Sequence, residues 1–280
     1  MSKKTASDDS PEPRSTPERN QVAASTDSHK KEDVASGDVI IMPRGAYIQS
    51  KMRDQFPAKR KIAVCVVDEF VRDFDAVLLD AGSTAEMIAE EMFARRKFLS
   101  VLTNNMGAYA AYTRARSSRH IDTPSTTGVP LQGDFSRGLQ GNELLITGGV
   151  YVDTYEALLG DVTMKSISEF TPNTTIIGVS GLRCEEGVFC HGAEEAAIKK
   201  LLWTKKADIR LIATDWSKIG KRDAHSFGRL EQLGVNAKHA VVVTCNPPDD
   251  EDPKRIEEFE KEVRAMEKGN IKVVRLDITR

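Results

Sequence analysis

Short apolar runs recur along the chain, and longer amphipathic stretches separate them. VLLD at 77–80, FLSVLTN at 98–104, ELLITGG at 143–149 and TTIIGVSG at 174–181 each have the length and composition of a buried strand. So do IRLIATD at 209–215, HAVVVTC at 239–245 and IKVVRLD at 271–277. Residues 84–96, 106–116, 155–169, 192–206 and 253–268 carry helical periodicity. Residues 58–72 fit two readings, because IAVCVV favours a strand while Ile62, Val66, Val67, Phe70 and Val71 share one helical face. Asp68 and Glu69 interrupt any alternation, so a helix is expected there. Strands alternating with helices predict an α/β protein with a mostly parallel sheet.

Two segments break the rhythm. Residues 1–40 are rich in Ser, Pro, Asp, Glu and Lys and lack aromatic residues. They cannot bury enough apolar surface to offset the entropy of ordering, so a polar disordered tail is expected, with the folded domain running over 41–280. Residues 117–142 are Ser-, Thr-, Gly- and Pro-rich and read as an inserted loop, either inert, a lid or an oligomer contact.

Composition narrows the function classes. Lys and Arg total 40 against 42 Asp and Glu, which argues against a broad nucleic-acid surface. No apolar run reaches the ~18 residues of a membrane span. Lys3 and Lys4 are followed by no apolar core, so no secretory signal is expected and a cytoplasmic location is the default. Cys184, Cys190 and His191 lie close together in CEEGVFCH, but the spacing does not suit a structural zinc site. Reduced thiols, with no metal and no cofactor, are expected of the four cysteines and their surroundings.

Ligands of open α/β sheets bind beyond the carboxyl ends of the strands. The residues there are Asp80-Ala-Gly82-Ser83-Thr84, Thr103-Asn104, Thr147-Gly148-Gly149, Gly178-Val-Ser180-Gly181 and Asp215-Trp-Ser-Lys218. Each loop alone has a plain structural explanation as a helix cap or a turn. Together, at one edge of one sheet, they predict a polar pocket for a small phosphorylated molecule. Glu195 and Lys199 share a helix face at i,i+4, as a surface ion pair or as part of that pocket.

The series DAGSTA, LTNN, LLITGG, GVSG, EEAAIKK and ATDWSKIG, in that order, resembles the C-terminal effector domain of DeoR-family transcriptional regulators. The resemblance covers about residues 45–245, and AKRKIAVCVVDEFVRDFDAVLLDAGST is similar to the family's lead-in helix. It implies an α/β Rossmann-like fold similar to ribose-5-phosphate isomerase, glucosamine-6-phosphate deaminase and CoA transferases. It also implies a site that senses a phosphorylated sugar. Matched residue by residue, that site would use Asp80, Gly82, Ser83, Thr84, Thr103, Asn104, Gly148, Gly149, Glu195, Lys199, Asp215 and Lys218. The backbone and hydroxyls of 82–84 would hold phosphate, Lys199 and Lys218 would neutralise it, and Asp80, Asn104 and Asp215 would bond sugar hydroxyls. A homo-oligomer is also implied. Residues 1–40 lack the helix-turn-helix pattern that the family carries, so no direct DNA binding by this chain is expected. The expected function is therefore a sugar-phosphate sensor. The alternatives are an isomerase- or deaminase-type enzyme and a folded scaffold with an empty pocket.

Overall fold

The computed structural model describes residues 46–120 and 141–278. The chain divides into two units, Met1–Met42 and Pro43–Arg280, and the described residues belong to the second. The expected tail over 1–40 lies outside the described residues, as does most of the inserted loop.

A seven-stranded sheet forms the centre, in the order β12-β11-β9-β6-β1-β2-β3. Its strands are β1 (Ala76–Leu79), β2 (Ser100–Thr103), β3 (Glu143–Ile146), β6 (Thr174–Gly178), β9 (Ala207–Ala213), β11 (Ala237–Cys245) and β12 (Lys272–Leu276). All six neighbouring pairs are parallel. Inner parallel strands have both faces covered, so they carry adjacent apolar residues rather than alternating ones, whereas the edge strands β3 and β12 keep exposed positions. Val77, Leu78, Leu79, Ile176, Ile177, Leu211, Ile212, Val241, Val242 and Val243 are buried accordingly.

Helices α1 (Ala46–Arg53), α2 (Phe56–Phe70), α3 (Ser83–Arg95) and α4 (Met106–His120) lie in the N-terminal part. The ambiguous segment at 58–72 is helical, as α2, with Pro57 in its first turn. Ile62, Val66, Val67 and Phe70 form its buried stripe. α4 continues to His120, so the first four residues read as inserted loop are helix. The C-terminal part carries α5 (Asp161–Glu169), α6 (Ala193–Thr204) and α7 (Pro253–Lys268).

The helix expected over 155–169 is a correction. Its first residues form a 3-10 turn at Asp153–Tyr155 and then β5 (Ala157–Leu159), which pairs antiparallel with β4 (Val150–Val152). Glu156 has φ 46° and Gly160 has φ 97°, and neither angle can continue a helix. Only from Asp161 does the chain turn helical.

A second sheet was not foreseen. β7 (Gly181–Arg183), β8 (Gly187–Cys190) and β10 (His225–Gly228) form a three-stranded antiparallel sheet in the order β10-β8-β7. It follows β6 directly, and Trp203 of α6 meets Phe227 of β10 edge-on at 5.7 Å.

Candidate ligand cleft at the strand ends

The chain runs from β1 outward to β3 and then returns to β6 on the other side of β1. The order therefore reverses between β1 and β6, and at such a point the loops diverge and leave a crevice. Asp80 follows β1 and Gly178 ends β6, so both stand at this crevice. The cleft found there encloses about 890 Å³ including the solvent at its open mouth.

Its floor is a buried ion pair. Lys199 of α6 contacts Asp80 Oδ2 and donates to the Gly178 carbonyl at 2.9 Å. The Gly178 N–H donates to the same Asp80 oxygen at 3.0 Å. Glu195 Oε1 lies 3.4 Å from Lys199 Nζ. Burial works against the charge on Lys199, but Asp80 and Glu195 hold the ammonium above the ordinary lysine range. Burial raises the Asp80 carboxyl above its ordinary value, with Lys199 and the Gly178 N–H pulling the other way, and the geometry is that of one buried ion pair.

One wall is the start of α3. Gly82, with φ 127° and ψ 167°, precedes the helix, in a conformation that strongly favours glycine. Ser83 and Thr84 then bring the first turn to the cleft, where a helix has N–H groups without intrahelical partners. Asn104 is 3% exposed and its Nδ2 donates to the Leu158 carbonyl at 3.1 Å, which ties the β2 loop to β5.

The facing wall comes from β9 and from α1 and α2. Asp215 caps the 3-10 turn Trp216–Lys218, its Oδ1 accepting from Ser217 N–H at 3.0 Å and from Ser217 Oγ at 2.5 Å. Lys218 then reaches Asp54 Oδ2 at 3.1 Å. Lys59 is only 2% exposed. Its Nζ donates to the carbonyls of Lys51 and of Asp54, the latter at 2.6 Å. Burial pushes the Lys59 ammonium below its ordinary value, with Asp215 and Asp54 acting in the opposite sense. Tyr47 stacks on His191 at 5.6 Å and meets Tyr155 edge-on at 5.9 Å. Burial, with Glu195 and Asp223 nearby, pushes the Tyr47 phenol up to about 12.

Nine of the twelve residues singled out from the sequence line this cleft: Asp80, Gly82, Ser83, Thr84, Asn104, Glu195, Lys199, Asp215 and Lys218. Thr103, Gly148 and Gly149 are not among its lining residues. Thr103 is fully buried and its Oγ1 accepts from Asn105 N–H at 3.0 Å. Gly148 and Gly149, with φ 72° and 120°, turn the chain from β3 into β4. The sequence reading missed Tyr47, Lys51, Lys59, Tyr155 and His191. Ile48 and Met52, spaced i,i+4 in AYIQSKMR, were the available sign of a helix at α1.

The position of the cleft can now be set beside known proteins. Residues 134–236 match the DeoR C terminal sensor domain. The chain is similar to the transcriptional repressor AccR of Agrobacterium fabrum, 22% identical over 178 residues, covering 64% of this chain and 59% of that protein. It is also similar to the glycerol-3-phosphate regulon repressor of Escherichia coli K12, 22% identical over 194 residues, covering 69% and 64% of the two chains. The chain thus spans about three-fifths of the length of each of these relatives. Among solved structures it is similar to ribose 5-phosphate isomerase from Plasmodium falciparum, with 14% identity, a TM-score of 0.34 and coverage of 57% and 52%. Both repressors regulate transcription, and the matched domain is a sensor, so the likeness is to regulatory proteins. Among the described residues no helix is long and apolar enough to cross a membrane, and no group of three or more metal-ligating side chains is gathered.

Proposed function

We propose that the chain is a regulatory sensor and that the cleft between β1 and β6 takes a small phosphorylated sugar or polyol. The observation that carries this reading is the state of the cleft's charges. Lys51, Lys59, Lys199 and Lys218 all line it, which suits an anion. Its three carboxylates already have partners inside the protein. Asp80 accepts from Lys199 and Gly178, Asp215 from Ser217, and Glu195 Oε2 from the Gly192 N–H at 3.3 Å. A catalytic base must be able to reach a substrate proton. Carboxylates committed in this way favour holding a ligand over turning it over, and so favour a sensor over an isomerase or deaminase.

The similarity to a glycerol-3-phosphate regulon repressor supports a phosphorylated ligand of a few carbons. Ser83, Thr84 and Asn104 would bond hydroxyls or phosphate oxygens, and the lysines would balance the charge. The signal would pass through self-association or a partner protein. The reading assigns no direct DNA contact to the described residues.

The test is a thermal-shift panel on the purified chain, holding phosphorylated sugars and polyols, their unphosphorylated parents and inorganic phosphate. Ligand at ~100 times its dissociation constant stabilises by ~2.7 kcal/mol. The expected outcome is a shift with a phosphorylated compound that its parent does not give and that Lys218→Ala loses. Turnover of that compound would move the assignment to an enzyme, and silence across the panel would leave a scaffold.

A further inference from the structure

The junction of α1 and α2 holds an anion of the protein's own among the cleft's cations. Asp54 lies two residues before α2. Its carboxylate bonds Lys218 Nζ at 3.1 Å, and its backbone carbonyl accepts from Lys59 Nζ at 2.6 Å. Lys59 also donates to the carbonyl of Lys51, so one buried ammonium closes the C-terminal end of α1. A cation there also suits the negative end of the helix dipole. Lys51 points its own ammonium over the Tyr47 ring at 5.3 Å. Partial burial works to raise the Asp54 carboxyl, but Lys218 first, then Lys59 and Lys51, hold it below its ordinary value.

The three lysines line the cleft, whereas Asp54 is not part of its lining. The Asp54 side chain is 41% exposed, against 13% for Lys218. The carboxylate can therefore leave for solvent at little desolvation cost, while the lysine it pairs with stays. A ligand phosphate entering from the cleft would meet Lys218 from the other side. It would offer more charge and more acceptor oxygens than one carboxylate.

We infer that Asp54 is the internal counter-ion of Lys218 behind the cleft's anion subsite, and that the phosphate of the ligand, bonding Lys218 from the cleft side, displaces it. The inference rests on the phosphorylated-ligand reading and adds the place of the phosphate. It is held at the α1–α2 junction by Lys218 and Lys51, with Lys59 as the brace that keeps the junction in position. It also supplies a route for a signal, because the group that moves belongs to the turn between the first two described helices.

The experiment measures binding of inorganic phosphate and of glycerol 3-phosphate by calorimetry. The proteins are the wild-type chain, Asp54→Asn, Lys218→Ala and the double variant, with unphosphorylated glycerol as control. Removing the competing carboxylate is expected to tighten both phosphorylated probes by about 2- to 5-fold, the scale of a partly exposed ion pair. The gain should vanish in the Lys218→Ala background, and glycerol should show no gain. Binding to Asp54→Asn alone, with none to the wild type, would be the stronger form of the same result. Equal or weaker phosphate binding by Asp54→Asn, with wild-type binding intact, overturns the displacement and leaves the cleft reading standing. No binding of either probe to any of the four proteins overturns both.

Discussion

Asp80 and Lys199 are 119 residues apart in the chain and form an ion pair in which each side chain is 2% exposed. One follows β1 directly and the other lies in α6, so the pair joins the end of a central strand to a covering helix at the crevice. Breaking such a pair from one side leaves a buried charge without its partner. Asp80→Ala is expected to cost about 3–5 kcal/mol in a urea unfolding experiment. Lys199→Met should cost a similar amount, and combining it with Asp80→Asn should recover part of the loss. Additive losses in the double variant would show that the two groups do not act as a pair.

The sign of the pH dependence follows from Lys199. Its folded-state pKa is raised by Asp80 and Glu195. The stability it contributes is therefore fully present below the ordinary lysine range and is lost only as pH rises through its higher folded value. Wild type and the double variant Lys199→Met with Asp80→Asn, which leaves no lone buried carboxylate behind, should differ by a constant amount from pH 6 to 9, as read by unfolding at several pH values. A gap that closes across this neutral range would contradict a charged, paired Lys199.

Gly149 and Gly82 separate structural from ligand-facing glycines. A Cβ on Gly149 would stand 2.3 Å from Thr163 Oγ1 and 2.6 Å from the Leu159 carbonyl oxygen. A Cβ on Gly82 meets nothing within 4 Å. Both have positive φ. Gly149→Ala is expected to lower the melting temperature more than Gly82→Ala, because it adds a backbone clash to the conformational strain. Where both proteins remain folded, only Gly82→Ala should weaken the binding of a phosphorylated ligand. A reversed order of affinities would return Gly149 to the ligand site.

The parts of this molecule that could be read from sequence are those fixed by local pattern. VLLD, TTIIG and HAVVVTC each carry adjacent apolar residues because both faces of an inner parallel strand are covered, and their shortness separates them from helices. The β4–β5 hairpin was hidden because Ala157, Leu158 and Leu159 also suit a helix, and only the positive φ of Glu156 and Gly160 forbids one. The β7–β8–β10 sheet was hidden because its strands GLR, GVFC and HSFG each include a glycine, GLR and HSFG hold a single apolar residue each, and none carries a period. Asp80 and Asn104 follow strands directly, and Asp215 and Lys218 lie in the loop after β9, so strand ends located them. Lys59 and Tyr47 reach the same cleft by the packing of α1 and α2, and that packing has no signature in local order.

The four cysteines give a prediction for solution chemistry. Among the described residues all four are free thiols. Burial, before any neighbouring charge, pushes Cys190 up to about 12 and Cys245 up to about 11, and raises Cys65 and Cys184 as well. Only the thiolate is nucleophilic, so all four should label slowly with a thiol reagent at pH 8 in the native protein and rapidly in urea. Raised thiol values also mean that the unfolded chain loses protons first. Stability should therefore fall as pH rises from about 8.5, where an unperturbed thiol ionises. A cysteine that labels at the rate of a free thiol in the folded protein would point to a local charge or opening that these four environments do not contain.

Lys218 and Lys59 line the same cleft but are expected to fail in different ways. Lys218 bonds a half-exposed carboxylate, so its removal leaves little buried charge unpaired. Lys59 is 2% exposed, and its two named bonds hold the carbonyls of Lys51 and Asp54. Lys218→Ala should lose roughly tenfold or more in affinity for a phosphorylated ligand, as expected when a charged hydrogen bond to the ligand is removed, with stability changed by less than about 1 kcal/mol. Lys59→Ala should instead cost about 1–3 kcal/mol of stability, because two carbonyls lose a buried donor. Unfolding by urea and calorimetric titration on both variants separate the two roles. Equal destabilisation by the two substitutions would mean that Lys218, like Lys59, is a structural brace, and the ligand's charge would then have to be met elsewhere in the cleft.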